Sequence, residues 1–162
     1  MAENKRQFRF IEYNREEKYP ALFLSQLQDD PNMAVLFDPM MFNGTQDDLR
    51  AFAAMPGRLF AIYDTETGTP FGVCGFVRYE RLRLGWKMFL SLQKGKDEFY
   101  DKILKSFISY YFNNFTDKYL YVEYLESHDH KESMKVFNAR SGGESIVFAR
   151  GKENITHTYI IV

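Results

Sequence analysis

Four residues able to bind a metal or carry a proton fall within five positions: Glu126, His128, Asp129 and His130. Imidazole and carboxylate are both zinc ligands, which makes the group a candidate metal site. The His-x-His spacing is not diagnostic, however, and no cysteine joins it. The residues favour a polar loop leading into a helix, with Asp129 as its N-cap, and no metal is expected. The single cysteine, Cys74, is a nucleophile by type. A catalytic thiol needs a partner base and access. Cys74 lies among apolar residues and is expected to be a small buried side chain. Arg78, Arg81, Arg83 and Lys87 gather about one turn. They could meet a phosphate or an acidic partner, or simply form the solvated end of a hairpin. His157, which alternates with Tyr159 near the C-terminus, is read as structural. Met33, Met40, Met41 and Phe42 could serve as a substrate loop, as a contact in a homodimer, or as core under an irregular cover.

The elements that must position these groups follow from periodicity. Phe8 to Tyr13 alternates aromatic with charged residues and predicts an opening strand. Tyr19, Leu22, Phe23 and Leu27 predict a helix within Arg15 to Gln28, stopped by Asp29-Asp30-Pro31. Pro20 fits best in a first turn and places the start later. Residues 31–44 look irregular. Thr45 can cap a second helix running to about Met55, where Pro56-Gly57 breaks it. A three-stranded meander follows: Arg58 to Asp64, a turn at Thr65 to Pro70, Phe71 to Glu80, a turn at Arg81 to Gly85, then Trp86 to Leu92. Phe71, Val73, Val77 and Tyr79 are expected on one face of the second of these strands.

The strongest signal lies between Asp97 and Asn114. Phe99, Ile103, Phe107 and Tyr111 recur every fourth residue beside Tyr100, Leu104, Ile108 and Phe112. This broad apolar stripe must lie on a sheet. Tyr119 to Leu125 is the next strand, so Trp86 to Leu125 forms a βαβ unit with parallel strands. His130 to Ala139 predicts a short helix closed by Ser141-Gly142-Gly143. Strands Ser145 to Arg150 and Thr156 to Val162 end the chain as a hairpin.

The bulk properties narrow the class. The 162 residues, 45% of them hydrophobic, suit a single α+β domain spanning 1–162 with a substantial core. The 16 Phe and 11 Tyr argue for a folded chain. The 21 basic against 22 acidic residues give no sign of a nucleic-acid partner. One cysteine permits no intrachain disulfide. The N-terminal residues are polar, and no apolar run nears the roughly 20 residues that span a bilayer. A cytoplasmic protein with no membrane partner is expected.

The order β-α-α-β-β-β-α-β-α-β-β, at this length, resembles the GNAT (acyl-CoA N-acyltransferase) superfamily over essentially the whole chain. Three places carry the resemblance. Thr65 to Pro70 with Phe71-Gly72-Val73-Cys74-Gly75-Phe76 looks like the family's central hairpin. The strand from Trp86 into the long helix sits where the family binds coenzyme A. His130 to Phe137, followed by Gly142-Gly143, looks like its last helix and the glycine beyond it. The resemblance implies a mixed sheet of about seven strands flanked by about four helices.

It also implies transfer of an acetyl or other acyl group from acetyl-CoA or another acyl-CoA to a small-molecule or peptide amine. The two parallel strands would splay, leaving backbone groups of Leu90 and Leu92 to bond pantetheine. Gln93, Lys94, Gly95 and Lys96 match the pyrophosphate loop, with free amides and a helix dipole as the anion-binding physics. The family's second small residue is missing there, and Asp97 and Glu98 follow. Glu80 and Glu123 stand where a base is found in the family. Phe137 occupies the position of the usual acid, a Tyr, so Tyr121 or Tyr124 would have to replace it. The same departures are compatible with a GNAT-like phage or prophage protein that has lost the chemistry and serves a structural or virion-assembly role.

Overall fold

The computed structural model describes residues 7–12, 21–37, 57–77 and 85–162. Seven strands form one mixed sheet in the order β1-β2-β3-β4-β5-β7-β6. They are β1 (Phe8–Glu12), β2 (Gly57–Asp64), β3 (Pro70–Val77), β4 (Gly85–Leu92), β5 (Tyr119–Leu125), β6 (Arg140–Ala149) and β7 (Lys152–Ile161). The helices are α1 (Ala21–Asp29), α2 (Pro31–Phe37), α3 (Tyr100–Asn114) and α4 (Lys131–Val136). Single 3₁₀ turns precede the last two, at Asp97–Phe99 and Glu126–His128. The predicted α+β class, strand number and βαβ unit all hold. The expected helix at 45–55, the start of the first helix before Ala21, Met40 to Phe42 and the turn at 78–84 lie outside the described residues.

The aromatic wealth of the sequence is spent on two cores, one on each face of the sheet. On the first face, α3 lays Ile103, Leu104, Phe107, Ile108 and Tyr111 onto Phe60, Phe76, Met88, Leu120 and Val122. Phe76 stacks on Phe107 at 4.4 Å and 17°. On the second face, α1 and α2 bring Phe23, Met33, Leu36 and Phe37 onto Leu59, Val73, Val77 and Phe89. Each ring removed from water contributes about 1.5–3 kcal/mol, so both faces are held by hydrophobic burial.

Four details depart from the sequence reading. Residues 31–37 form a helix, because Pro31 is tolerated at a first helical position and Asp30 Oδ1 caps it by accepting the Asn32 amide at 2.9 Å. Met33 is core, 1% exposed. Phe71 does not share a face with Val73 and Val77. The register shifts between Ile62 and Tyr63, so Phe71 is the extra residue of a β-bulge and turns to the α3 side, against Phe8 and Phe99. Ser141-Gly142-Gly143 belongs to β6, not to a helix end. Asp129 does not cap α4. His130 holds that position without a side-chain cap bond, while Asp129 accepts the Tyr159 hydroxyl on both oxygens at 2.8 Å.

Candidate active site

The parallel pair β4–β5 is in register only from Gly85↔Tyr119 to Met88↔Val122. Beyond Met88 the two strands part. Gln93 donates its amide to Phe71 on β3 at 2.8 Å. By alternation, Leu90 and Leu92 direct their backbone groups to the opposite side, toward the gap. Their side chains lie in the α3-side core. The gap opens into a cleft of about 1080 Å³, lined by Leu90, Leu92, Gln93, Lys94, Tyr100 and His130 together with the α1–α2 corner. The expected splay, with Leu90 and Leu92 at its edge, is therefore present.

That corner contributes what sequence reasoning missed. Gln26, buried on α1, donates to Ser91 Oγ at 2.7 Å and to the Leu92 carbonyl at 2.8 Å. Ser91 in turn donates to Asp30 Oδ2 at 2.5 Å. From α2, Asn32 accepts the Leu125 amide at 2.8 Å and donates to the His128 carbonyl at 3.1 Å. These side chains fasten both lips of the splay to the α1–α2 face. They also occupy the Leu92 carbonyl, leaving the Leu90 groups and the Leu92 amide as the edge that faces the cleft. Gln26 and Asn32 are ordinary surface types in a one-dimensional reading, so no signal marked them.

The loop after β4 divides its residues. Gln93 and Lys94 line the cleft. Gly95 adopts φ +87°, a left-handed conformation that glycine alone reaches without strain. Lys96 is turned the other way, its Nζ 4.7 Å from the Phe71 ring centroid, and its amide is spent on the Gln93 carbonyl at 3.1 Å. Its side chain thus lies away from the residues that line the cleft. Four carboxylates line the space, those of Asp29, Asp30, Asp97 and Asp129. None of them is ion-paired with a described residue.

Tyr124 is buried, and its hydroxyl meets that of Tyr100 at 2.8 Å. Desolvation pushes both phenols well above their usual range, so both hold their protons at neutral pH. The Tyr100 ring stacks on His130 at 4.0 Å and 8°, and the His130 ring lies 4.8 Å from that of Tyr124. Burial lowers the His130 pKa; Asp30, Asp101, Asp129 and Asp97 oppose that shift without cancelling it. Ser133 donates to Asp101, joining α4 to α3 behind the stack.

Glu123 is not free. Its Oε1 meets Lys87 Nζ at 2.7 Å and its Oε2 accepts Thr156 Oγ1 at 2.8 Å, with the Lys87 and Glu123 side chains 8% and 10% exposed. Lys87 is therefore one half of a buried ion pair and not part of a basic surface patch. Glu80, Arg78, Arg81 and Arg83 lie outside the described residues. Phe137 packs half-buried against the α3-side core. The residues of the polar loop weighed against a metal site are dispersed: His128 bonds Ser127 at 2.8 Å, Asp129 holds Tyr159 and His130 stacks on Tyr100. Glu126 instead lies 3.7 Å from His157, which also faces Glu144 at 3.8 Å. Cys74 is fully buried, and its thiol is pushed up by desolvation.

A seven-stranded mixed sheet with helices on both faces and one splayed parallel pair is the GNAT acetyltransferase fold. Solved structures agree. A putative acetyltransferase from Acinetobacter baylyi ADP1 superposes with TM-score 0.72 at 13% identity, covering 98% of this chain and 93% of that one. Spermidine N-acetyltransferase from Vibrio cholerae, in complex with CoA and spermine, gives 0.69 at 11% identity, covering 96% and 95%. A point mutant of that enzyme gives 0.69 at 11%, covering 96% and 93%. Identities this low establish the shared fold and nothing finer. No protein-family model matches the sequence, and no curated protein matches it.

Proposed function

We propose that this chain is an N-acyltransferase that moves an acyl group, acetyl in the simplest case, from acyl-CoA to a cationic small-molecule or peptide amine. The parting of β4 from β5 after Met88 and Val122 carries the reading, because it turns the Leu90 and Leu92 backbone toward a cleft large enough for two reactants. Leu90 and the Leu92 amide would bond pantetheine as a short extra strand. Gln93, Lys94 and Gly95 would hold the pyrophosphate through backbone amides and the Lys94 ammonium, with Lys96 supplying charge from behind the loop. Tyr124 and its partner Tyr100, both kept protonated, are suited to give a proton to the departing thiolate. Glu123 braces the base of the splay in this reading. Acceptor choice rests on charge: four carboxylates on the cleft wall favour an ammonium. A spermine complex is known for one structural neighbour, which supports a polyamine as first probe. Holding both substrates in one cleft supplies most of the rate.

A second reading is favoured by two observations: Gln26 already fills the Leu92 carbonyl, and Asp97 faces the phosphate end of the cleft. In it the chain is a GNAT-like scaffold without chemistry, such as a phage or prophage protein with a structural or virion-assembly role. Thermal unfolding with acetyl-CoA separates the two. Ligand at about 100 times its dissociation constant adds about 2.7 kcal/mol of stability. Thiol release with spermidine as acceptor then tests transfer. Absence of any shift at millimolar acetyl-CoA removes the transferase reading.

A further inference from the structure

We propose that His130 is the catalytic base, taking the proton from the acceptor ammonium before attack; the assignment rests on the transfer reading above. Three features of geometry carry it. His130 lines the same cleft as Leu90 and Leu92, on the segment that follows β5. Its ring is held by the face-to-face stack on Tyr100, which covers one ring face without engaging the in-plane nitrogens. Those nitrogens make no hydrogen bond to a described residue.

The surroundings fit both states of such a base. Burial disfavours the imidazolium, so the resting ring is neutral and able to accept. The groups facing it are Asp30 from the α1–α2 corner, Asp97 from the 3₁₀ turn, Asp101 from α3 and Asp129 from its own loop, with the neutral Tyr100 and Tyr124 hydroxyls alongside. The carboxylates stabilise the cation that forms once the proton arrives. The proton donor and the proton acceptor then stand side by side, Tyr100 against His130.

A His130 nitrogen takes one proton from R–NH3⁺. The freed lone pair forms the C–N bond at the acyl carbonyl of acyl-CoA. The C–S bond breaks, and the electron pair leaves on sulfur. The amine's second proton is lost to that thiolate through the Tyr100–Tyr124 hydroxyls. His130 returns its proton to water, giving the amide, free CoA thiol and one proton.

The test compares wild type with His130→Phe, which keeps a ring to stack on Tyr100, and His130→Gln, which keeps a polar side chain. Acetyl-CoA and spermidine are the probes. Loss of a general base lowers kcat/KM by about 10²–10⁴-fold. The acetyl-CoA thermal shift should remain in both variants. Wild-type kcat/KM should fall on the acid side with a midpoint below about 6.5, the ordinary histidine value, and that acid limb should vanish from the residual activity of the variants. Unchanged kcat/KM with the acid limb intact in either folded variant overturns the assignment and leaves the transfer reading standing. A wild-type protein that neither binds acetyl-CoA nor releases thiol overturns both.

Discussion

At the scale of single residues, the pair Lys87–Glu123 shows how a charged side chain changes meaning once placed. Both sit on neighbouring parallel strands, directed to the α1–α2 side among Met33, Leu36 and Phe89. Neither charge is tolerable there alone, and the 2.7 Å contact makes each the other's solvent. Thr156, itself fully buried, satisfies the remaining oxygen. Removing one partner of a buried pair costs about 3–5 kcal/mol, whereas replacing both by apolar groups of like volume is often neutral. Lys87→Met is therefore expected to lose stability on that scale in urea titration, and the double variant Lys87→Met, Glu123→Leu to recover most of it. Equal instability of single and double variants would refute the pairing as its cause.

At the scale of elements, β2, β3 and β4 meet through close backbone approaches at glycines. At Gly75 an added Cβ would stand 2.2 Å from the Arg58 carbonyl and 2.5 Å from the Phe89 ring. The contact is with rigid β2 backbone on one side and a packed ring on the other, so nothing can give cheaply. Overpacking of this kind costs about 1–3 kcal/mol. Gly75→Ala should lower the urea midpoint with the slope unchanged, because the defect is steric and local. A wild-type midpoint would show that β2 and β3 slide apart freely. The β6–β7 hairpin uses the reverse device. Arg150 takes φ 53° at the turn, where Asn or Gly is usual, with Gly151 beside it at φ 75°. Its guanidinium reaches the Leu27 and Gln28 carbonyls at 3.0 and 2.5 Å, covering the C-terminal end of α1.

Across the whole molecule, charge is nearly balanced, with a formal net of −1, yet it is unevenly spread. Asp29, Asp30, Asp97 and Asp129 converge on one cleft, where Lys94 is the lining lysine. Low-dielectric walls focus such a field into the space between them. Added salt screens it over a Debye length of about 10 Å at 0.1 M. Spermine and acetyl-CoA should therefore respond differently: raising salt weakens spermine binding more than acetyl-CoA binding, whose anion meets both these carboxylates and the Lys94 ammonium. Calorimetric titration at low and high salt checks the difference. Tighter spermine binding at high salt would show that the cleft carboxylates do not govern acceptor choice.

Local periodicity in the chain is enough to specify the α3 stripe, the strand alternation, the βαβ unit and hence an element order that resembles the GNAT family. Those signals are short-range, because helix and strand geometry repeat within a few residues. The splay of the parallel pair is expected only from that resemblance. Leu90, Leu92, Gln93 and Lys94 are likewise legible only through it, as the strand end and loop that match the family's coenzyme A site. Contacts between distant segments settle the rest. Gln26 to Leu92 spans 66 residues, Asn32 to Leu125 spans 93, and Lys87 to Glu123 spans 36. Such pairings leave no periodic trace. In one dimension Tyr100 is one more ring of an apolar stripe and His130 the first residue of a helix. Folding sets one against the other, because the 3₁₀ turn before α3 and the loop after β5 both end at the mouth of the same gap.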